Sequence, residues 1–179
     1  MKIYVVNGRE GSGKTTFETL FGLLVNKTLV YSTIDSIKAI ARDAIWDGKK
    51  DERGRKLLSD LKRAFNEYND YTMEELKHYL WIWERKGYEA IFIDSREPLE
   101  IARICKETGA KSILIRRPSV EGAAASNSSD ANVFNYNYDF IIHNDGDKTQ
   151  LLETALDFAK KEGFKTKPYY INLFGEIDV

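Results

Sequence analysis

The residues best equipped for chemistry stand near the start of the chain. Gly8-Arg9-Glu10-Gly11-Ser12-Gly13-Lys14-Thr15 has the spacing G-x-x-x-x-G-K-[ST]. It lies between a β-rich run, Lys2–Asn7, and a stretch whose apolar residues Phe17, Leu20, Phe21 and Leu24 recur at helical intervals. Glycines at these positions let successive backbone N–H groups turn inward, and the N-terminus of the following helix adds partial positive charge. Together they suit a phosphate. Lys14 can reach the outer phosphates of a nucleotide and the Thr15 hydroxyl can ligate Mg²⁺, with Thr16 beside it on the first turn. A glycine-rich turn that binds nothing needs neither the lysine nor the threonine. The segment from Gly8 to Thr16 is therefore expected to hold a nucleotide.

Which nucleotide, and for what, depends on the rest of the chain. A GTPase needs a late Asn-Lys-x-Asp, whereas the one Asn-Lys pair, Asn26-Lys27, comes early and is followed by Thr28-Leu29. A motor or helicase ATPase carries paired acids after a hydrophobic run. Here the run Ala90–Ile93 ends in Asp94-Ser95-Arg96, a single acid and then a cation. At the C-terminal edge of a buried strand Asp94 faces the ligand crevice of an α/β sheet, suited to Mg²⁺ or to a substrate-binding arginine. A cap on the next helix is the plainer reading of the same residue. Arg116 and Arg117 end another strand and precede a polar loop. That is a position from which arginines can neutralise a transferring phosphoryl group. The segment Lys38–Arg63 carries nine basic residues against five acids in a chain of net charge −1. It is where an anionic acceptor would be drawn in, although most of these side chains fit a solvated helix face.

These side chains must be positioned by alternating strands and helices. Strands are expected at 2–7, 28–32, 90–93, 112–116 and 140–143. Helices are expected at 15–25, from about 35 (capped by Ser32, Thr33 or Asp35, with Ile37, Ile40, Ala41, Ala44 and Ile45 inward), from about 52 to 68, and at 72–86, 98–108 and 149–161. The pattern predicts an α/β fold of three layers around a mainly parallel sheet. Its length, 179 residues, suits a single domain with a real core. The balanced charge offers no case for nucleic acid or an anionic membrane as partner, and the lone Cys105 excludes an internal disulfide. No apolar run is long enough for a membrane span. Without a signal-like start the expected compartment is the cytoplasm. Tyr79, Trp81 and Trp83 crowd one helix, so one face is core. The other is left to a second copy in a homodimer or to the aromatic C-terminal tail.

Ser32-Thr33-Ile34-Asp35-Ser36-Ile37-Lys38 resembles the acceptor-site segment Ser-Thr-Gly-Asp-x-Leu-Arg of adenylate kinases, with Ile34 for glycine and Lys38 for arginine. The resemblance implies that Thr33 and Asp35 lie at the acceptor, and that Lys38, helped by Arg42, binds its phosphate. Asp94-Ser95-Arg96-Glu97-Pro98-Leu99-Glu100 is similar to the Asp-x-Arg-x-Pro-x-Glu of phage-type deoxynucleoside monophosphate kinases. Ser128-Ser129-Asp130 and Tyr138–Gly146 resemble that group's segment after the lid and its last strand. The likeness implies a P-loop kinase of nucleotide-kinase type that uses ATP and Mg²⁺ and takes a nucleoside monophosphate as acceptor. It further implies Mg²⁺ at Thr15 and Asp94, phosphoryl transfer assisted by Lys14, Arg116 and Arg117, and adenine against Asn144, Asp145 and Gly146. Acceptor-binding helices would fall at about 33–70 and a lid at about 117–137. Thr33, Asp35, Lys38, Arg42, Asp94 and Arg96 would serve the acceptor. Two rivals remain open: a kinase for a non-nucleotide acceptor, with Asp35 as base, and a nucleotide-binding regulator that turns over slowly or not at all.

Overall fold

The structure, a computed structural model, describes residues 1–122, 132–168, 170–171 and 177–178. The chain divides into two compact units, one of residues 1–30 and 87–179 and the other of residues 31–86. Five strands, β1 (Lys2–Asn7), β2 (Thr28–Ser32), β3 (Ala90–Asp94), β4 (Lys111–Arg116) and β5 (Phe140–His143), form a parallel sheet in the order β2-β3-β1-β4-β5. In register, Val6 lies beside Asp94 and Arg116 beside His143.

The first unit is layered because its strands alternate in which face they present. Tyr4 and Val6 of β1, Phe92 of β3, and Ile113 and Ile115 of β4 face α1 (Lys14–Leu24) and a C-terminal helix, Lys148–Lys161. Val5, Ile91, Ile93 and Leu114 are also buried and lie on the other face, where α5 (Pro98–Thr108) packs on β1 and β4 through Ile101 and Ile104. The α1 side is held by interlocking rings: Phe21 meets Phe92 edge-on at 4.9 Å between centroids, Phe17 meets it at 6.2 Å, and Tyr4 stacks on it at 5.4 Å. These contacts fix α1, and with it the start of the loop helix, over β1 and β3.

At the opposite edge of β1, Tyr4 Oη donates to Glu162 Oε2 at 2.8 Å, and Lys111 Nζ reaches the same oxygen at 2.9 Å. Lys2 also donates to the Glu162 carbonyl. Burial alone would raise the Glu162 carboxyl, but the hydrogen bonds from Lys111 and Tyr4 outweigh it and hold the group below its ordinary range.

The second unit holds α2 (Asp35–Ala44), α3 (Glu52–Asn69) and α4 (Tyr71–Arg85). Asp51 caps α3 by accepting from Gly54 N, and Asp70, in the left-handed region at φ 58°, divides α3 from α4. Ile37, Ala41, Trp46 and Leu58 form this unit's buried cluster. Two expectations for α2 need correction. Its N-cap is Ile34, with no side-chain capping bond, so Ser32, Thr33 and Asp35 do not cap it. The chain also leaves the helix at Ile45, which is 90 % exposed, and Ala44 is exposed too, because Trp46 takes the inward place. On α4, Met73, Leu76, Leu80 and Trp83 are inward as expected, and Tyr79 stacks on Trp83 at 5.3 Å. Trp81 stays 57 % exposed with Arg85 over its ring.

Where a polar loop was expected after Arg117 there is a one-turn helix, α6 (Pro118–Glu121), started by a proline that needs no N–H partner. The helix Lys148–Lys161 is then α7, and 170–171 and 177–178 form a short antiparallel pair, β6 and β7. No helix among the described residues is long and apolar enough to cross a membrane. The segment Ser128–Asp130 and the tail residues Tyr169 and Phe174 lie outside the described residues.

Candidate active site

The loop Gly8–Gly13 leaves β1 and enters α1 through glycines in backbone regions closed to other residues. Gly8 has φ 154°, Gly11 76° and Gly13 96°. A side chain at Gly8 would meet the Ile115 carbonyl, and one at Gly13 would meet the Asn144 amide. Gly13 is also the N-cap of α1, so no side chain caps the helix and no acid stands in its first turn. Its first N–H groups are left for an external anion, which is what a phosphate supplies. The Ser12 hydroxyl, buried in the same loop, has no hydrogen-bond partner. Lys14 Nζ curls back to the Gly8 and Arg9 carbonyls at 2.6 and 3.0 Å, so it stands at the loop's centre.

Several residues that sequence reasoning passed over hold this loop. Asn7 is fully buried. Its Oδ1 accepts from Gly8 N at 2.8 Å, while Nδ2 donates to the Tyr138 hydroxyl at 2.7 Å and to the Arg96 carbonyl at 3.3 Å. Burial pushes the Tyr138 phenol up to about 12. On the other side, Asn144 Nδ2 donates to the Ser12 carbonyl at 2.8 Å, and its backbone N–H bonds the Arg116 carbonyl. Asn144, one of the three residues expected against the adenine, is thus bonded to the loop. Asp145 and Gly146, the other two, are exposed at the start of α7, where Asp147 and Gln150 close a capping box, and a Cβ at Gly146 would collide with Gln150.

The arginine pair reaches the loop through α6. Arg116 binds Glu121 with two bonds, 3.0 and 2.6 Å, and the guanidinium holds the Glu121 carboxyl below its usual range. Arg9 donates to the Glu121 carbonyl at 2.7 Å, and the guanidinium groups of Arg9 and Arg116 lie 5.7 and 5.4 Å from the Phe134 ring centre. Arg117 reaches the Gly11 carbonyl at 3.5 Å. Phe134 and Glu121 carry no motif, so only the fold reveals their part.

Asp94 ends β3 beside Val6, half-buried. It does not cap α5, whose N-cap is Glu97 with no side-chain capping bond, so the capping reading falls. Arg96 is exposed two residues on. Within the other unit, buried Thr33 accepts from Lys62 Nζ at 3.1 Å, Lys38 pairs with Asp35 at 2.6 Å, and the Arg42 guanidinium stacks on Trp46 at 5.3 Å. Lys62 was one basic residue among many in the sequence; its contact with Thr33 singles it out.

One acid was missed altogether. Glu18, one turn into α1 from Lys14, is only 3 % exposed, and its Oε1 has no hydrogen-bond partner. Burial, and then the Asp94 charge, push its carboxyl up to about 8 against the pull of Lys14. The signal was there to be seen: a charged residue at i+4 from Lys14 and adjacent to Phe17, on the apolar stripe of the helix.

No protein-family model matches the sequence, and no curated protein matches it. Solved structures do. The tunicamycin resistance protein of Deinococcus radiodurans superposes with a TM-score of 0.56 at 12% identity, covering 93% of this chain and 98% of that one. TT1252 from Thermus thermophilus gives 0.53 at 19%, covering 90% and 97%. The dephospho-CoA kinase of Campylobacter jejuni gives 0.50 at 14%, covering 89% and 96%. At such identities the likeness is one of fold: a three-layer α/β arrangement, which the strand order already describes.

Proposed function

We propose that the chain is an ATP- and Mg²⁺-dependent phosphotransferase that moves the γ-phosphoryl group of ATP onto the phosphate of a nucleoside monophosphate, a deoxynucleotide by its sequence likeness. The observation that carries the reading is the cradle itself. An uncapped helix N-terminus, three glycines at positive φ and a central lysine are braced by Asn7 and Asn144.

The oxygen donors Thr15 and Asp94 fit Mg²⁺, a hard ion that takes oxygen ligands and keeps several waters. When bound, the ion would neutralise phosphate charge. This chain's residues then have distinct tasks. The loop N–H groups and the α1 terminus bind the phosphates, and Lys14 leaves the Gly8 and Arg9 carbonyls for the migrating group's oxygens. Arg116 and Arg117, at the start of α6, add positive charge where it develops in transfer. An acceptor phosphate is already anionic, so positioning and charge neutralisation suffice without a strong base. Within the second unit Thr33, Lys62, Asp35, Lys38 and Arg42 are the proposed acceptor contacts; within the first, Arg96 is.

A second reading, transfer to a hydroxyl of a non-nucleotide metabolite, draws on the likeness to a dephospho-CoA kinase and would use Asp35 as base. Product formation over the eight ribo- and deoxyribonucleoside monophosphates with Mg-ATP tests the first reading, which requires a diphosphate product from at least one. No diphosphate, but ADP release that depends on dephospho-CoA or another alcohol, would favour the second. ATP binding with neither would leave a nucleotide-binding regulator.

A further inference from the structure

The buried acid on α1 has no place in the roles above. Phe17 and Phe21 pack on Phe92 at 6.2 and 4.9 Å, which sets this face of α1 against β3. Asp94 follows Phe92 by two residues and pairs in register with Val6, which shares the α1 side of the sheet, so its side chain projects toward the same layer. Glu18 follows Thr15 by three residues and Lys14 by four, one helical turn deeper. One acid on α1, a turn from the threonine that the loop offers to a cation, and one at the end of β3 thus lie on the same side of the sheet.

Burying a carboxyl oxygen with no partner, as at Glu18 Oε1, is unfavourable, and the Asp94 charge adds repulsion. An apolar residue at position 18 would carry no such cost. Lys14 is the neighbouring cation; its ammonium is bonded to the Gly8 and Arg9 carbonyls, and its charge offsets the burial of Glu18 only in part. What the arrangement fits is a hard divalent ion with its waters, which need oriented acceptors.

We propose that Glu18 is a positioning residue for the divalent cation, completing with Thr15 and Asp94 an all-oxygen site in which its buried carboxylate orients the ion's water ligands. The inference rests on the nucleotide-binding reading above and deepens it. The probes are Mn²⁺, followed by electron paramagnetic resonance in the presence of ADP, and ADP itself, titrated calorimetrically with Mg²⁺ and with EDTA. Glu18→Gln should weaken Mn²⁺ in the ADP complex by about 10-fold or more, the size typical of partners that orient a metal's ligands. It should leave metal-free ADP affinity within about twofold of native. Glu18→Asp, which keeps the charge, should recover part of the Mn²⁺ affinity. Glu18→Leu, apolar and of similar size, repeats the test if the amide is poorly tolerated. Unchanged Mn²⁺ binding in the folded neutral variants would overturn the proposal, as would equal losses of ADP affinity with and without metal. Native protein that binds no ADP under either condition would instead remove the nucleotide reading on which it stands.

Discussion

At the scale of single residues, the site is a set of cations held by backbone carbonyls and by one carboxylate. Lys14 sits on two loop carbonyls, so Lys14→Met removes a charge without opening a core contact. Transfer should fall on the order of 10³-fold with the circular dichroism spectrum unchanged, since cations of this kind in phosphoryl transfer contribute that much. Arg116 is bound twice by Glu121 and must leave it to reach a phosphate. Arg116→Ala should therefore lower kcat more than it raises the KM for ATP; equal effects on both would mark a ground-state contact. Arg96 is exposed beside Asp94, and on the proposed function Arg96→Ala raises the KM for the monophosphate about 10–100-fold while that for ATP stays near native. Steady-state titrations of each substrate at saturating levels of the other decide both. Lys14 was legible in the sequence because its loop is a contiguous pattern. Glu18 was visible as an acid beside an apolar stripe but was not singled out; its burial and the influence of Asp94 came only with the fold.

At the scale of elements, the loop depends on what begins and ends around it. The capping box Asp147–Gln150 starts α7 three residues after Asn144, whose amide holds the Ser12 carbonyl. Asp147→Ala should lower the unfolding free energy in urea by about 1 kcal/mol, and fraying of that first turn should weaken ADP binding a few-fold through Asn144. An unchanged ADP affinity would show Asn144 to be held by β5 alone. Strand and helix bounds were readable within a residue or two, since each rests on local periodicity and turn chemistry. The exceptions have local causes of another kind. Ile45 continues the helical spacing of α2 but lies outside, because the nearby Trp46 is the larger apolar group and takes the buried place. The turn α6 escaped notice because four residues carry no periodicity; Pro118 and the Arg116–Glu121 pair make it.

At the scale of the molecule, the first unit is closed at the edge of β1 away from the loop by Tyr4, Lys111 and Glu162. Glu162 is held below its ordinary carboxyl range of about 4.5, so the folded state prefers it ionised. Its contribution is present at neutral pH and is lost as pH falls through the lowered folded value. Glu162→Gln should cost about 1–3 kcal/mol at pH 7, as for hydrogen bonds to a charged group, and the gap in melting temperature should close below about pH 4. A gap independent of pH would assign the loss to packing. Sequence by itself determined the alternation of strands and helices, the glycine loop before α1 and the three-layer class. Each follows from neighbours within a few residues, where spacing alone dictates which side is apolar and which backbone groups are free. Tertiary structure alone decided that Tyr4 meets Glu162, that Asn7 meets Tyr138, and that the Asp94 charge is felt by the buried Glu18. The physical reason is the strand order. In a sheet running β2-β3-β1-β4-β5, strands that are neighbours in space are separated in the chain by whole helices, so their pairing leaves no local periodicity to read.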